Sequence, residues 1–482
     1  MVTRIERPRS RLRVFLLGVA FLLIFVILLG IGAGAPSVLL VATALDEDTG
    51  SVSYNHRKEV NTYLATFELS RENQLFWMDV RLSNDADLVD QSVDINGTLT
   101  VETSHLDGNA LTDVVSYNVA STQLCLEGEE WCNYFFLWKR DFVDHDRYIV
   151  SFEFDDPSEY LTNGVHPGRR VLFDVDSKVT SINPEFTRFE IGWKYFWLIM
   201  TVLVMFTPCG VGFMSALKRR RRDTGEGRSY HQKWTAVLLW SLIWFNDPFV
   251  ALTVYTNWSK VWSAVFILCA SLFVFLILLF WLCLLSDLKF MQQHDGDQGG
   301  RGVCYWIPKV ILTGAIGVTV FAGYMYYRFE DSISFEYTGV ADEKKAAEEL
   351  AGLLGFMLAV YMLWAIVLVL RSCGGLRRVS PSYVLLFFVT LLACLVAIIG
   401  VFVAAYYPYS TSGVAFVGIH GLLNLYVWTL AVSFAPVRPG SSSSSREMMD
   451  KPADLPAVVV GTDRDLSGWP DKMDSDFKAV EL

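Results

Sequence analysis

Charged residues are scarce in this sequence of 482 residues. They make up only 19% of the chain, whereas 52% of the residues are hydrophobic. A soluble protein of this size usually carries about a quarter of its residues as Asp, Glu, Lys or Arg. The composition therefore excludes an ordinary soluble protein. The net charge of −11 gives no reason to expect a nucleic-acid partner.

Sequence motifs that carry chemistry are also lacking. The seven histidines form no H-x-x-x-H or H-E-x-x-H pair, and the chain has no G-x-S-x-G motif and no P-loop. Gly30, Gly32 and Gly34 follow an apolar segment rather than a strand, so close helix packing is a better interpretation than dinucleotide binding. We therefore expect no enzymatic activity, no metal site and no cofactor.

Long apolar stretches are what the chain has instead. Each contains about 20 residues or more, which is enough to cross roughly 30 Å of hydrocarbon as a helix. No soluble core requires eight such segments, so the sequence predicts a multi-pass α-helical membrane protein in contact with lipid. The predicted spans are 14–34, 194–215, 234–255, 261–285, 306–326, 350–370, 383–406 and 413–434.

The distribution of Lys and Arg predicts the orientation of these spans. Basic residues cluster at 4–13, at 218–222 and at 371–378, while the connections on the opposite face are poor in them. The positive-inside rule then places residues 1–13 and the C-terminal segment in the cytosol. The run at 218–222 is most simply an orientation signal. Its alternative is a site for anionic lipid or for an effector.

The first span has two interpretations. It is long enough to be an uncleaved anchor helix, 14–34, in the secretory pathway or at the plasma membrane. Alternatively, the small residues at 33–35 resemble a signal-peptide cleavage site. Pro36 would follow that cut directly, which favours the anchor.

Residues 45–190 are predicted to form a luminal or extracellular antiparallel β-sandwich. Apolar and polar residues alternate in short runs such as 78–82 and 150–155, as expected for strands with one buried face. Asn96-Gly97 predicts a tight hairpin turn. The region carries 28 acidic and 11 basic residues, a net charge of −17. This charge serves solubility or, alternatively, a basic partner or Ca²⁺.

Two modifications are expected in the luminal domain. Cys125 and Cys132 are the only cysteines placed in the oxidising compartment, and a disulfide closing this short loop is more plausible than a zinc site. Asn96 lies in an Asn-Gly-Thr sequon and is a candidate for glycosylation. A second sequon, at Asn257, lies too close to the predicted bilayer. Residues 437–482 lack apolar periodicity and predict a disordered tail, with trafficking adaptors as candidate partners.

The segment SLIWFNDPFVAL, residues 241–252, places three helix-disfavouring residues inside an apolar run. Asp247 should face the interior of the bundle, because a charge at the midplane costs at least about 2.5–3.5 kcal/mol. Pro248 should kink the helix and free the carbonyl of Trp244. At about 1.5 Å per residue, Asp247 matches the depth of His420, and Asn246 lies between His420 and Asn424. These residues form either a structural clamp between helices or the lining of a ligand cavity.

Several motifs resemble the transmembrane protein 181 family, whose membrane part is similar to the Wntless-like seven-helix module. They are INPEFTRFEIGWKYFW (182–197), QKWTAVLLWSLIWFNDPF (232–249), FWLC (280–283), WIPKVIL (306–312) and HGLLNLYVWTLAVSFAP (420–436). The family motifs coincide here with Asn246, Asp247, Pro248 and Phe249, and with Asn424, Leu425 and Tyr426.

The resemblance implies an anchor helix, a GOLD-like luminal sandwich and a bundle of seven helices at 194–434. Wntless relatives carry a lipidated ligand between these two parts, and members of the closer family are described as receptors, some with a toxin-binding description. Wnt carriers lack a clear N-D-P-F motif, so their ligand is not transferred. We therefore expect a non-enzymatic receptor or cargo carrier that binds a lipidated protein or a toxin. The alternatives are an ion or proton pathway and a G-protein-coupled type of receptor.

Overall fold

The structure is a computed structural model of the chain. It describes residues 11–43, 54–59, 62–82, 91–104, 111–126, 129–140, 142–143, 145–154, 175–206, 212–224, 230–293, 303–329, 337–373, 384, 387–395 and 413–435.

Helices account for the membrane part of the described chain. They are α1 (Arg11–Ala33), α2 (Pro184–Phe206), α3 (Phe213–Thr224), α4 (Tyr230–Phe245), α5 (Val250–Tyr255), α6 (Ser259–Gln293), α7 (Val303–Phe329), α8 (Tyr337–Cys373) and α10 (Gly413–Phe434). Residues 387–395 are also helical and are called α9.

Seven segments among the described residues are long and apolar enough to cross a membrane. They are Phe15–Ala33, Pro184–Phe206, Tyr230–Tyr255, Ser259–Ser286, Tyr305–Tyr326, Glu349–Arg371 and Gly413–Phe434. The chain is therefore a multi-pass helical membrane protein, as the apolar runs predict. The remaining predicted span, 383–406, lies partly outside the described residues.

The second membrane helix begins ten residues before the apolar run at 194–215. Its start is encoded locally: the Oδ1 atom of Asn183 accepts a hydrogen bond from the backbone N–H of Glu185 at 3.0 Å. Asn is a favoured N-cap, and Pro184 occupies the first helical position, where no N–H is needed. The helix ends at Phe206, and α3 begins separately at Phe213. Residues such as Lys194 are consequently well inside the helix and not at its start.

Helices α1 and α10 approach each other closely, because glycine lines their contact. A Cβ atom added at Gly32 would lie 2.7 Å from the Cα atom of Val414, and one at Gly413 would lie 2.9 Å from the Cβ atom of Ala35. Small residues allow such backbone contact in a membrane, where packing replaces the hydrophobic effect. Helix packing is thus what the structure supports for this glycine-rich stretch.

The soluble part contains two antiparallel sheets. Its strands are β1 (Leu39–Thr43), β2 (Tyr54–Glu59), β3 (Thr62–Glu68), β4 (Phe76–Leu82), β5 (Gln91–Ser104), β6 (Leu111–Cys125), β7 (Phe135–Arg140), β8 (Arg147–Phe154) and β9 (Val175–Ile182). The sheets have the orders β1-β9-β4-β7 and β2-β3-β8-β5-β6. The predicted β domain is confirmed.

An aromatic core holds the sheets together. Phe67, Phe76 and Tyr148 are each 0% exposed, and their ring centroids lie 5.0–5.9 Å apart. In β4 every second residue is buried, which is the alternation expected from the sequence. Burial of one face of each sheet drives this association.

The predicted hairpin turn at Asn96-Gly97 is wrong. Both residues lie within β5, where Asn96 pairs with Ala120 and Gly97 pairs with Val119 and, on the other side, with Phe154. A Cβ atom at Gly97 would lie 2.4 Å from the carbonyl oxygen of Glu153. The glycine therefore permits close approach of β8 and does not form a turn.

The sandwich docks on the bundle through a short 3-10 helix, Arg71–Asn73. Glu72 forms a salt bridge with Arg188 of α2, with an N–O distance of 2.7 Å. Its Oε1 atom also accepts a hydrogen bond from the hydroxyl of Tyr255, at the end of α5. The backbone carbonyl of Glu72 accepts a further bond from Thr187 at 2.6 Å. Glu72 of the sandwich thus contacts two helices of the membrane part, α2 and α5.

The contact between α1 and α10 can be tested with a pair of matched variants. Gly32→Ala should destabilise the protein by about 1–3 kcal/mol, because the new methyl group meets the backbone of α10. Gly30→Ala is the control, since nothing lies within 4 Å of the position that its methyl group would take. Thermal unfolding in detergent measures both. Equal midpoints for the two variants would contradict the packing.

We expect the contacts of Glu72 with α2 and α5 to persist at mildly acidic pH. Hydrogen bonding to Arg188 lowers the pKa of the Glu72 carboxyl below its ordinary value, against the opposing effect of partial burial. A lowered pKa stabilises docking at pH values above the ordinary pKa, and this contribution is lost only as the pH falls through the lowered value. Hydrogen exchange of Arg71–Asn73 should therefore stay equally protected from pH about 7 to about 5, after correction for the intrinsic rate.

Two variants serve as controls for this pH test. Glu72→Gln should lose protection at every pH, because the charged contact is gone. Glu68→Gln should not, since Glu68 pairs with Arg147 within the sandwich. Loss of protection in the wild type between neutral pH and pH about 5 would show that another group controls docking.

Candidate functional site

The third membrane segment is interrupted at residues 246–249. Helix α4 ends at Phe245 and the short helix α5 begins at Val250. Asp247 has a φ angle of 51°, in the left-handed region that non-glycine residues seldom adopt. The residue before a proline is also disfavoured in the α region. The sequence predicts a kink, and the structure shows a complete break.

The backbone at the break remains hydrogen-bonded. The carbonyl of Trp244 accepts the N–H of Asp247 at 3.1 Å, so the expectation that this carbonyl is free is wrong. The carbonyl of Asp247 in turn accepts the N–H of Val250 at 3.2 Å. A break inside an apolar segment is tolerated where protein groups satisfy the backbone in this way. Strain held in this manner is typical of functional sites.

Asp247 pairs with Lys194 of α2. The Nζ atom of Lys194 lies 3.3 Å from the Oδ2 atom of Asp247 and 2.8 Å from the Oε1 atom of Glu190, one helical turn earlier. The side chains of Lys194 and Asp247 are 8% and 5% exposed. The ammonium group also lies 4.5 Å from the ring centroid of Phe266. We call Glu190, Lys194 and Asp247 the charge cluster.

Loss of any one member of the charge cluster should cost free energy of folding. Two carboxylates and one ammonium group leave a formal charge of −1 if all three are ionised. Removing one partner of a buried ion pair leaves an uncompensated charge, at a cost of about 3–5 kcal/mol. Ionisable residues inside membrane segments are therefore rare and usually mark a functional position.

Asn246 and Asn424 form a reciprocal amide pair. The Nδ2 atom of Asn246 donates to the Oδ1 atom of Asn424 at 2.8 Å, and the reverse bond is 2.9 Å long. Both residues are 0% exposed. Thr201 accepts bonds from Asn246 at 3.3 Å and from the indole of Trp428 at 3.2 Å. The pair thus connects α10, the break after α4 and, through Thr201, α2, an arrangement that favours the clamp interpretation for these two residues.

His420 does not bind Asp247 in this structure. Its ring is stacked between Phe245 and Phe416, with centroid distances of 5.2 and 5.7 Å. Neither ring nitrogen has a hydrogen-bond partner among the described residues. Asp247 and His420 are 4% and 7% exposed, so both are packed rather than open to a cavity in this state.

Pro248 and Tyr426 lie in different parts of the bundle. Pro248 lies within the break and forces the chain out of the helix. Tyr426 is fully buried deeper in the bundle, where its hydroxyl lies 2.9 Å from the Oγ1 atom of Thr390. Its ring packs edge-on against Trp281 at 5.9 Å. Tyr426 therefore belongs to another part of the core than the charge cluster.

The hydropathy pattern does not identify Lys194 and Glu190 as residues of the site. The apolar run begins at 194, and hydropathy alone therefore places Lys194 at the membrane boundary. A signal is nevertheless present: Glu190 and Lys194 are four residues apart, a spacing that puts both on one helix face. Together with the cap at Asn183, this spacing indicates that the pair lies inside the helix. Thr201 and Trp428 give no such signal, since single polar residues in spans are common.

A second polar cluster lies on the sandwich. Arg81 donates to the Oδ2 atom of Asp176 at 2.8 Å, and its guanidinium group lies 4.8 and 4.6 Å from the ring centroids of Trp131 and Tyr134. Burial and the neighbouring carboxylate of Asp176 raise the pKa of Tyr134 to about 12. This cation–aromatic stack fixes the segment before β7 to the sheet.

Other predicted sites remain predictions. The side chain of Cys125 lies outside the described residues, so its disulfide with Cys132 is untested. The side chain of Asn96 is exposed on β5, which is compatible with glycosylation but does not establish it. The predicted tail, 437–482, also lies outside the described residues. No group of three or more potential metal ligands occurs in the part of the chain that the structure describes.

Known proteins resemble this chain in the same regions. The profile described as Wntless-like, transmembrane domain matches residues 183–438, which begin at the cap of α2 and end just after α10. Human transmembrane protein 181 is 24% identical over 467 residues, covering 92% of this chain and 89% of that protein. Both the charge cluster and the amide pair lie inside the matched domain.

Variants of the charge cluster should have unequal effects. Lys194→Met should be the most damaging, by about 3–5 kcal/mol, because it leaves two carboxylates without their shared partner. Asp247→Asn should cost less, since the Lys194–Glu190 pair remains. Adding Asp247→Asn to Lys194→Met should restore part of the lost stability, as measured by thermal unfolding in detergent. Additive losses in the double variant would rule out the coupling.

Proposed function

This chain belongs to the family of the Wntless-like transmembrane domain, and we propose that it is a non-enzymatic receptor or cargo carrier of the secretory pathway or cell surface. Its ligand would bind through the luminal sandwich and the luminal half of the helix bundle. The observation that carries the proposal is that the sandwich contacts α2 and α5, the same two helices that carry or adjoin the charge cluster. The ligand classes implied by the family resemblance are a lipidated protein and a protein toxin.

The charge cluster and the sandwich act on the same two helices. Lys194 and Arg188 both lie on α2, so the helix that holds Asp247 also holds Glu72 of the sandwich. On the other side of the break, α5 ends at Tyr255, whose hydroxyl donates to Glu72 at 2.9 Å. A ligand that moves the sandwich would therefore pull on both partners of the buried ion pair.

The packing argues against a preformed ligand cavity lined by Asp247 and His420, so a ligand would have to open the site. Asp247 and His420 are buried, and the ring of His420 is enclosed by two phenylalanines. A ligand entering the bundle would have to separate α2 from the break, at the expense of the Lys194–Asp247 pair. The ligand must supply that free energy through its own contacts, which makes opening selective. Broken helices serve binding in this way in several membrane transport proteins.

A crosslinking experiment tests the proposal. A photoreactive amino acid is placed at Phe136, on the sandwich and 38% exposed, or at Trp258, between α5 and α6 and 67% exposed. Exposed Lys233, at the opposite end of α4, is the control position. Cells are fed an alkyne fatty acid so that acylated proteins can be detected. We expect acylated secretory proteins to be captured from Phe136 and Trp258 but not from Lys233.

The same experiment separates the two roles of the charge cluster. Asp247→Asn should reduce capture from Trp258 several-fold if the cluster takes part in recognition. Unchanged capture would assign Asp247 to the clamp alone. Capture of proteins without the fatty-acid label would identify a protein ligand, such as a toxin. Identical capture from all three positions would refute the receptor proposal.

An ion or proton pathway is the second candidate, because the charge cluster provides three ionisable residues. A relay requires further polar groups across the membrane. Below the amide pair, however, the next buried hydroxyls of α4, those of Ser241 and Thr235, donate to carbonyls of their own helix, and Leu238, Leu239 and Leu242 around them are 0% exposed. Proton flux through the purified protein in liposomes distinguishes the candidates. A flux that Asp247→Asn abolishes would favour the pathway over the receptor.

A further inference from the structure

The basic run at 218–222 lies on a helix of its own. The sequence K-R-R-R-R occupies five successive positions of α3, Phe213–Thr224, between the second and third membrane segments. A helix makes a turn every 3.6 residues, so these positions surround the helix axis completely. An orientation signal needs only charge and no such fixed structure.

Helix α3 is anchored to the bundle by its first two turns. Phe213 and Leu217 are 0% and 2% exposed, and they belong to the same core cluster as Leu238 and Leu239 of α4. The start of the helix is closed by bonds to the carbonyl of Gly212, from the hydroxyl of Ser215 at 2.7 Å and the N–H of Ala216 at 2.9 Å. The residue after Leu217 is Lys218, which is exposed. The basic run therefore starts directly at the edge of the hydrophobic core.

An aromatic cluster marks the membrane surface at this end of the bundle. The ring of Trp234 of α4 lies 6.3 Å from Tyr230 and 6.0 Å from Trp306 of α7. Trp and Tyr are enriched where hydrocarbon meets the headgroups. Tyr230 begins α4, only six residues after α3 ends. From Leu217 to position 222 the helix advances about 8 Å, so the basic run is short enough to lie close to one headgroup layer.

We propose that α3 binds the headgroup of a phosphorylated inositol phospholipid in the cytosolic leaflet. The proposal uses the predicted orientation and is independent of the ligand on the other side of the membrane. Four of the five basic residues are arginines, whose planar guanidinium groups bind phosphate in a bidentate manner. Positions three or four apart, such as 218 and 222, share one helix face, so a headgroup with several phosphates can be contacted by more than one basic residue, whereas phosphatidylserine offers a single net charge.

Binding of short-chain lipids to the purified full-length protein tests the proposal. The probes are the dioctanoyl forms of phosphatidylinositol bisphosphate, phosphatidylserine and phosphatidylcholine, measured by native mass spectrometry and thermophoresis. We expect the bisphosphate to bind at least about tenfold more tightly than phosphatidylserine, with an affinity that falls as salt is raised. Equal binding of the three lipids would overturn the proposal.

Variants locate the site on α3. Replacing the four arginines (R219Q, R220Q, R221Q and R222Q) should weaken bisphosphate binding by about tenfold or more. Lys233→Gln is the matched control, since Lys233 is an exposed base on α4 at the same end of the bundle. It should leave binding unchanged. Bisphosphate binding that survives in the glutamine variant, with a wild-type elution profile, would place the site elsewhere.

Removing these arginines would also remove the predicted orientation signal and so change insertion of the chain. A second variant, with lysine at the same four positions, keeps the charge and hence the orientation. It should still bind the bisphosphate but lose part of its preference over phosphatidylserine, because lysine cannot form the bidentate contact. A lysine variant that binds neither lipid would contradict an electrostatic headgroup site.

Discussion

The buried ion pair between Lys194 and Asp247 is the constraint on which the bundle depends. Both groups are almost completely removed from solvent, and each is tolerable there only because of the other. The pair fixes α2 against the break between α4 and α5, and this position in turn sets the register in which Asn246 meets Asn424. Polar contacts therefore add to apolar packing in fixing the interior of the bundle.

The helix break has a consequence for the sandwich. Helix α5 has only six residues, too few to be stable on its own. It is held at one end by the turn at Asp247 and at the other by the contact of Tyr255 with Glu72. The short helix thus connects the break in the membrane interior directly to the β domain.

Most of the architecture could be predicted from the sequence, because its signals are long and periodic. Eight apolar runs and several alternating runs are sufficient for the multi-pass bundle and the sandwich. Local signals are less reliable: Asn96-Gly97 has the composition of a turn, yet its glycine serves the close approach of β8. The depth estimate brings Asn246 and Asn424 together correctly, but it cannot find Lys194. That partner depends on the start of α2, which a cap defines and hydropathy does not.

The contact between α1 and α10 joins two helices that are made far apart in time during synthesis. The two helices are separated by nearly the whole described chain, yet Gly32 and Val414 meet almost backbone to backbone. During synthesis α1 is made long before α10, so its partner helix does not exist until residue 413 and those that follow have been made. The glycine-lined face of α1 must meanwhile be covered by lipid or by the insertion machinery. A chain that lacks α10 would therefore leave the glycine-lined face of α1 without the helix that it contacts in the complete fold.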